Sequence, residues 1–333
     1  MSASYPENLR QEVECYLEGM RFSEEALTAG LEEAMRYSLL AGGKRIRPVL
    51  ALATARAVGL EQHQVMPLAG AIELIHTYSL IHDDLPAMDD DALRRGQPTC
   101  HVKFGEDVAI LAGDGLYAEA FRHLLTHQRS APERVLAAAA ELAAATGVNG
   151  MVGGQYADVS PRTPPGPAAL RRLHELKTGR LISASVICVL LLGAISDERE
   201  IVPFRRFAAE LGVLFQIVDD ILDVTGTDDA LGKPRGSDER HGKRTYVSEF
   251  GIERARELAG DSHRVALEAL AEAAGESAVA HPAGPARQPG RLDGIVEHAR
   301  GTAPPSVLRD SRGAPRATGE LRQIADFIYT RSS

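Results

Sequence analysis

Apolar residues recur three and four positions apart along most of the chain, from Asn8 to about Leu270. This spacing places them on one face of a helix, and no stretch shows the alternation that predicts a half-buried strand. The run from Leu181 to Ile195 is almost entirely apolar but shorter than the ~20 residues that a membrane span needs, so it predicts a buried helix. The pattern therefore predicts an all-α protein with a central buried bundle and no membrane span.

The helical pattern stops between Glu276 and Gly319. This stretch is rich in Pro, Gly, Ala and Arg and has few large apolar side chains. Such a segment buries too little apolar surface to offset its conformational entropy. We expect a flexible insertion at 276–319, followed by a closing helix in ELRQIADFIYT, within a single domain over residues 1–333.

Composition and charge narrow the classes of function. A hydrophobic content of 44% and a charged content of 25% are typical of a soluble globular protein. The net charge of −9 argues against nucleic-acid binding. The three cysteines, Cys15, Cys100 and Cys188, are dispersed and odd in number, and the charged N-terminus has no signal-peptide core. A reducing, cytoplasmic location is therefore expected.

Two clusters of aspartates each end an apolar helical stretch. In LFQIVDDILDV, Asp219 and Asp223 are four residues apart and are expected to point the same way, with Asp220 to one side. In IHDDLPAMDDDALRRG, Asp83 and Asp84 are separated from Asp89 by a proline that forbids an unbroken helix. A local break is expected to bring Asp89 round to the side of Asp83.

Carboxylates in buried helices are costly unless cations neutralise them. All-oxygen ligands suit Mg²⁺, which usually bridges protein carboxylates to substrate phosphates. The two clusters therefore predict a site in which Mg²⁺ ions hold a diphosphate. A solvated acidic surface is the alternative interpretation of the first cluster taken by itself.

A cationic counterpart lies in LLAGGKRIRPVL. Gly42 and Gly43 allow close backbone approach, and Lys44 and Arg47 share a helical face beside a helix that begins near Pro48. This arrangement predicts a diphosphate cradle, with a basic surface turn as the alternative. Other candidate phosphate ligands are Arg94, Arg95, Lys177 and Lys233. No Ser-His-Asp or Cys-His arrangement is apparent. The acidic clusters and cationic side chains instead favour a reaction in which diphosphate departs as a leaving group and its charge is stabilised electrostatically.

Five motifs in this order resemble the trans-isoprenyl diphosphate synthases, in particular the short-chain bacterial farnesyl and geranylgeranyl type: GGKRIRP, DDLPAMDDDALRRGQPTCH, GGQYADV, LKTGRL and FQIVDDILD. The resemblance implies a helical isoprenoid-synthase bundle around a deep cavity, usually as a homodimer, with three Mg²⁺ ions on an allylic diphosphate. It implies metal ligation by Asp83, Asp84, Asp89, Asp219 and Asp223, with Asp220 completing the second catalytic motif.

The same resemblance assigns the two diphosphate sites. For the allylic diphosphate it implies Arg94, Lys177, Thr178, Gln216 and Lys233, with Lys177 also catalytic. For isopentenyl diphosphate it implies Lys44, Arg47, His76 and Arg95. Without the resemblance, His76 would be interpreted as a helix histidine whose hydrogen bonds are satisfied. The reaction implied is ionisation of dimethylallyl or geranyl diphosphate, attack by the isopentenyl double bond, and loss of a proton to the released diphosphate.

Product length is expected to depend on the helix before Asp83. Ser79 lies one turn before Asp83 on the same face. Tyr78 is turned away on an ideal helix, yet the family uses an aromatic residue there as a floor that stops growth at fifteen carbons. We therefore predict mainly farnesyl diphosphate, with geranylgeranyl diphosphate as the alternative.

Three other functions are weighed against this one. A terpene cyclase would not need the GGKRIRP turn or two such aspartate motifs. A phosphatase with an aspartate nucleophile would require an α/β fold. A non-catalytic regulatory subunit of a heteromeric synthase typically lacks motif residues, and all the key ones are present here.

Overall fold

A computed structural model of the chain describes residues 5–160, 162–226, 242–276 and 317–331. Within these ranges the protein is helical apart from one small antiparallel hairpin, in which β1 (Leu93–Arg94) pairs with β2 (Gln97–Pro98). The predicted all-α class is confirmed. Lys233 and residues 277–316 of the expected insertion lie outside the described residues.

The first half of the chain forms eight α-helices, and two short 3₁₀ turns (Ala26–Thr28 and Gln62–Gln64) precede the second and the fourth of them. The helices are α1 (Glu7–Gly19), α2 (Ala29–Leu39), α3 (Ile46–Ala57), α4 (Met66–Asp83), α5 (Cys100–Phe104), α6 (Glu106–His127), α7 (Pro132–Thr146) and α8 (Met151–Val159).

The second half continues the bundle and includes one π-helical turn, Glu175–Gly179, between two α-helices. The helices of its described residues are α9 (Pro167–His174), α10 (Arg180–Leu192), α11 (Glu198–Thr225), α12 (Tyr246–Phe250), α13 (Ile252–Ala274) and α14 (Gly319–Thr330).

The core is centred on α3, α4 and α10, which are apolar almost all round and buried along nearly their whole length. α10 covers Leu181 to Leu192 of the stretch predicted as a buried helix, Leu181 to Ile195, and confirms that prediction. α6 packs against α4, α7 against α10, and α13 against α11. Because this packing brings the C-terminal ends of α4 and α11 to one cavity, the two aspartate clusters come together there.

One helical stretch, Pro132–Val159, has the length and composition of a membrane span, and 39% of its most apolar window is buried. The sequence analysis overlooked it because its apolar character comes mainly from alanines rather than from large side chains. The stretch is interrupted by the turn between α7 and α8, and length and composition alone do not separate a span from a surface helix pair.

Candidate active site

A cavity of about 1120 Å³ opens between the ends of α4 and α11 and the turn before α3. It collects most of the residues that the sequence analysis singled out. These are Lys44, Arg47, His76, Tyr78, Ser79, Asp83, Asp89, Arg94, Arg95, Lys177, Thr178, Gln216, Asp219 and Asp220.

The first aspartate cluster is folded back as predicted. α4 ends at Asp83, and the backbone N–H of Asp89 donates to the carbonyl of Asp83 at 2.8 Å. This turn carries both carboxylates into the cavity. Burial, together with the neighbouring Asp89 charge, raises the pKa of Asp83 to about 6. A carboxyl with such a raised pKa lacks sufficient positive charge around it.

Asp84, a predicted metal ligand, is paired with an arginine. It is 3% exposed, does not line the main cavity, and is gripped by Arg94, whose Nε lies 2.8 and 2.9 Å from its two carboxylate oxygens. Consecutive helical residues diverge by about 100°, so Asp83 and Asp84 face different directions at the end of α4. The structure thus pairs two predicted ligands, Asp84 and Arg94, with each other.

The second cluster also differs from the helical-wheel expectation. Asp219 and Asp220 both line the cavity, whereas Asp223 is 6% exposed and is not among its lining residues. Asp220 accepts hydrogen bonds from Gln216 Nε2 at 2.8 Å and from the backbone N–H of Tyr246 at 2.7 Å. The cavity is therefore lined by Asp220 together with Asp219, rather than by the expected pair Asp219 and Asp223.

The oxygen donors of the site fit Mg²⁺ in kind. Asp83, Asp89, Asp219 and Asp220 line one cavity, and the raised pKa of Asp83 indicates a carboxylate that a cation would stabilise. Over the described ranges, however, no three His, Cys, Asp or Glu side chains are grouped closely enough to hold a metal ion. The ligand set is therefore present but not preassembled.

Two lysines contact carboxylates at the acidic side of the cavity. Lys177 Nζ lies 2.6 Å from Asp158 Oδ2, and Lys243 Nζ lies 2.7 Å from Asp89 Oδ2. Asp158 belongs to the GGQYADV motif, and Lys243 comes from the segment that precedes α12. Neither ion pair is evident from the sequence, because each joins residues far apart in the chain.

The π-helical turn that carries Lys177 and Thr178 is packed between two glycines. A Cβ on Gly154 would lie 2.2 Å from the backbone nitrogen of Lys177, and one on Gly212 would lie 2.8 Å from the Cα of Gly179. Turns of this kind inside helices are frequent at functional sites. Thr178 Oγ1 donates to Gln216 Oε1 at 3.1 Å, so the turn is joined to α11.

The basic side of the cavity is built on a tight turn. Gly42, Gly43 and Arg45 have φ values of 82°, 127° and 51°. The guanidinium of Arg95 lies against Gly43, where a Cβ would come within 2.8 Å of its Cζ. The sequence analysis missed Arg45, which is 3% exposed and bound to Glu73 Oε1 at 2.7 Å. Glu73, a single glutamate in the apolar helix α4, was the sequence signal that could have pointed to a buried cation such as Arg45.

The buried positive charge at the basic side of the cavity has too little negative charge beside it. Burial lowers the pKa of Arg47 to about 10, and burial with the nearby charge of Arg47 and Arg95 holds the pKa of His76 well below its usual value. His76 is therefore neutral, and its Nε2 accepts from Arg47 Nη1 at 3.3 Å. Buried cations whose charged state is disfavoured are what an anion-binding site requires before its ligand arrives.

Two polar side chains in the cavity wall were not singled out from sequence. Both amide atoms of Gln155 and both ring nitrogens of His174 are buried without a hydrogen-bond partner among the described residues. Burial lowers the pKa of His174 to about 4, and its ring stacks on Tyr246 at 5.5 Å. Gln155 lies in the motif GGQYADV, and His174 lies two residues before the motif LKTGRL, which was the signal that could have found them.

Tyr78 lies on the cavity wall although an ideal helix turns it away from Asp83. It is 8% exposed, and its ring packs edge-on against Tyr117 of α6 at 5.0 Å and against His82 at 5.6 Å. Ser79, which also lines the cavity, donates from Oγ to the carbonyl of His76 at 2.8 Å. Both predicted chain-length residues thus border the space that a substrate would enter.

The fold and this cavity together define the class of the protein: the chain belongs to the polyprenyl synthetase family, whose sequence profile matches residues 28–280. It is 49% identical over 247 residues to the heterodimeric geranylgeranyl pyrophosphate synthase large subunit 1 of Arabidopsis thaliana chloroplasts, covering 72% of this chain and 66% of that protein. A chloroplastic geranylgeranyl pyrophosphate synthase of Capsicum annuum is 48% identical over 243 residues, with 72% and 66% covered. The match thus spans just under two thirds of these relatives.

Solved structures agree with this assignment. A geranyltransferase from Helicobacter pylori, complexed with magnesium and isoprenyl diphosphate, has a TM-score of 0.73 and 36% identity, with 81% of this chain and 92% of that chain covered. An FPP/GFPP synthase from Zymomonas mobilis has a TM-score of 0.70 and 35% identity, with 80% and 92% covered. The predicted isoprenoid-synthase fold is therefore confirmed.

Proposed function

We propose that the protein is a trans-prenyl diphosphate synthase, which joins isopentenyl diphosphate to an allylic diphosphate in the presence of Mg²⁺. One observation carries this proposal: a single cavity has carboxylates on one side and under-compensated buried arginines on the other. Such a cavity suits two diphosphates held by opposite means, one through metal and one through cationic side chains. Family membership supports the same activity.

The allylic diphosphate is proposed to lie at the acidic side, where Mg²⁺ bound to the carboxylates would neutralise the departing diphosphate. Lys177 would exchange Asp158 for a phosphate oxygen, and Lys243 would exchange Asp89 in the same way. Thr178 and Gln216, already hydrogen-bonded to each other, border that position. Asp84 is bound to Arg94, and the roles of Asp84, Asp223 and Lys233 are proposed from the family resemblance alone.

Isopentenyl diphosphate is proposed to bind at the basic side. Lys44, Arg47 and Arg95 would hold its phosphates, and the neutral His76 would accept from Arg47 rather than add charge. Arg47 also lies 5.9 Å from the centre of the Phe215 ring, which limits its side-chain freedom. Its charged head is thus oriented before the substrate arrives.

For the product, we propose geranylgeranyl diphosphate, in place of the farnesyl diphosphate first expected from the sequence. The relatives with 47–49% identity are named geranylgeranyl pyrophosphate synthases, which favours twenty carbons. Farnesyl diphosphate is the second candidate, because Tyr78 lies on the cavity wall and is backed by Tyr117 as a floor would be.

The test incubates purified protein with Mg²⁺, labelled isopentenyl diphosphate and, separately, dimethylallyl, geranyl and farnesyl diphosphates, and sizes the dephosphorylated products by chromatography. Elongation of farnesyl diphosphate to twenty carbons supports the proposal. If growth stops at fifteen carbons and Tyr78→Ala extends it, the second candidate is correct. No elongation from any starter, by protein shown to be folded, overturns the synthase proposal and favours a regulatory subunit.

We also propose that the protein forms a homodimer through α6, α7 and the turn after α7, whose outer surfaces leave large apolar side chains exposed. These are Leu111, Leu125, Leu136 and Val148. An apolar surface of this kind favours association with another protein chain. A heterodimer is the second candidate because the first relative is named as a heterodimeric large subunit. Light scattering of the purified chain distinguishes a self-associating protein from one that needs a different partner.

The proposed location is the cytoplasm. The free thiols of Cys100 and Cys188 are buried, and Cys15 is exposed and free, which fits a reducing compartment. Fractionation of cells with an antibody against the protein tests this location.

A further inference from the structure

The turn that carries Lys44 is contacted by two aromatic residues from opposite ends of the described chain. The hydroxyl of Tyr5 donates to the backbone carbonyl of Lys44 at 2.7 Å. The Nζ of Lys44 lies 5.3 Å from the centre of the Phe327 ring, within the range of a cation–π interaction. The rings of Tyr5 and Phe327 pack on each other at 4.7 Å. Lys44 is thus held at its backbone and at its charged head by one aromatic pair.

Lys44 needs such support more than the other cations of the site. Its side chain is exposed, and within the described residues it has no carboxylate at ion-pair distance, whereas Arg45 is fixed by Glu73 and Glu14. A lysine has four rotatable side-chain bonds, so fixing its ammonium at one position costs conformational entropy. The turn itself, with Gly42 and Gly43 at positive φ, does not restrict the side chain that follows.

The helix that supplies Phe327 is firmly docked beside the cavity. Leu321, Ile324 and Ile328 of α14 are fully buried, and Asp326 Oδ1 lies 2.7 Å from His263 Nε2 of α13. The residue after the helix, Arg331, lines the cavity. Phe327 therefore reaches the Lys44 turn from a rigid support rather than from a loose chain end.

We propose that Phe327 and Tyr5 are positioning residues for isopentenyl diphosphate: they hold the Lys44 ammonium where it meets the substrate's diphosphate. This inference rests on the proposed function, in which Lys44 binds that substrate. The face of the Phe327 ring offers the ammonium an electrostatic partner that leaves its remaining N–H donors open to phosphate oxygens. Neither aromatic residue contacts the reacting atoms.

The test compares steady-state kinetics of four variants with the unmodified protein. Phe327→Leu keeps an apolar side chain but removes the ring face. Its KM for isopentenyl diphosphate is expected to rise about fivefold, the size of an exposed cation–π interaction, with kcat and the KM for the allylic diphosphate unchanged within twofold. Phe327→Tyr restores a ring face and is expected to restore the KM.

Tyr329→Leu is the matched control. Tyr329 lies two residues further along the same helix, and its ring stacks on His263 at 4.5 Å, away from Lys44. Its loss is expected to lower the melting temperature while leaving the KM for isopentenyl diphosphate unchanged. Tyr5→Phe, which removes only the hydroxyl that binds the Lys44 carbonyl, is expected to raise the same KM two- to threefold.

The inference is overturned if Phe327→Leu leaves the KM for isopentenyl diphosphate unchanged, if it raises both KM values together, or if Tyr329→Leu reproduces its effect. These outcomes presuppose that the unmodified protein elongates a prenyl chain. If the folded unmodified protein shows no elongation and no calorimetric binding of isopentenyl diphosphate, the proposed function itself fails, and the inference fails with it.

Discussion

The two sides of the cavity differ in how their charges are compensated before a ligand arrives. On the acidic side, Asp89 is bound to Lys243, and Asp220 to Gln216 and a backbone N–H, beside the less compensated Asp83. On the basic side, Arg47 has a lowered pKa because it is buried beside too little negative charge.

This difference separates a side that must reorganise from a side that is already arranged. Ligands at the acidic side must displace protein cations, so binding there is coupled to movement of Lys243 and its neighbours. Ligands at the basic side meet hydrogen-bond donors that are already oriented, so less conformational entropy is lost when they bind. The protein is therefore expected to bind isopentenyl diphosphate with little rearrangement and to assemble the allylic site when metal and substrate enter.

The largest effect is expected from Asp83→Asn. If the acidic side holds metal around the departing diphosphate, loss of this carboxylate removes charge stabilisation of the transition state. A decrease in kcat of about 10³-fold is expected, on the scale of losing one preorganised electrostatic contact. Single-turnover kinetics at saturating substrate measure it, with Asp261→Asn, a surface carboxylate on α13, as the control. A loss below tenfold would place the metal-dependent step elsewhere.

Arg47→Gln tests the preformed side. A charge-assisted hydrogen bond contributes about 1.5–3 kcal/mol, so kcat/KM for isopentenyl diphosphate is expected to fall about 10- to 100-fold. Because Arg47 is proposed to contact only this substrate, the KM for the allylic diphosphate should stay within twofold. An equal loss for both substrates would contradict the division of the cavity into two sides.

The raised pKa of Asp83 predicts a pH dependence of stability for the metal-free protein. Since its folded-state pKa of about 6 lies above the unfolded value, the contribution to stability is complete below pH ~4 and is lost as the pH rises through 6. A change of about 2 kcal/mol, a few degrees in melting temperature, is expected across this window. Thermal denaturation of Asp83→Asn, which cannot ionise, should show a flatter profile and greater stability at pH 7. A profile parallel to that of the unmodified protein would contradict the assignment.

The smallest effect is expected from Lys243→Gln. A partly exposed ion pair contributes roughly 0.2–1 kcal/mol, so removing the lysine should tighten Mg²⁺ binding to the substrate-free protein about two- to fivefold. The same variant should bind the allylic diphosphate less tightly, since the lysine can no longer transfer to phosphate. Calorimetric titration measures both. If Mg²⁺ binding weakened instead, Lys243 would not be a competitor for the carboxylates.

Much of the fold and of the site follows from local sequence rules. Helical spacing predicted the bundle, the proline after Asp84 predicted the break that carries Asp89 to the cavity, and the paired glycines before Lys44 predicted a tight basic turn. These features depend on residues close together in the chain, for which backbone geometry decides the outcome.

The remaining features depend on residues that meet only after the chain has folded. Asp84 was expected to bind metal, but the β1–β2 hairpin returns Arg94 to it. Asp220 was expected to lie to one side of the metal ligands, and nothing in the sequence indicated that the backbone N–H of Tyr246 in α12 would bind it. Tyr5 and Phe327 converge on Lys44 from positions more than three hundred residues apart in numbering, and no spacing rule connects them.

Gly154 and Gly212 show how a residue without a functional group can be as constrained as one that has it. Because the π-helical turn is enclosed by backbone on two sides, even a methyl group at Gly154 would displace the nitrogen of Lys177. A saturation mutagenesis screen for activity should therefore reject alanine at this position as firmly as it rejects neutral residues at Asp83. The pattern of tolerated substitutions would then map the shape of the site as well as its chemistry.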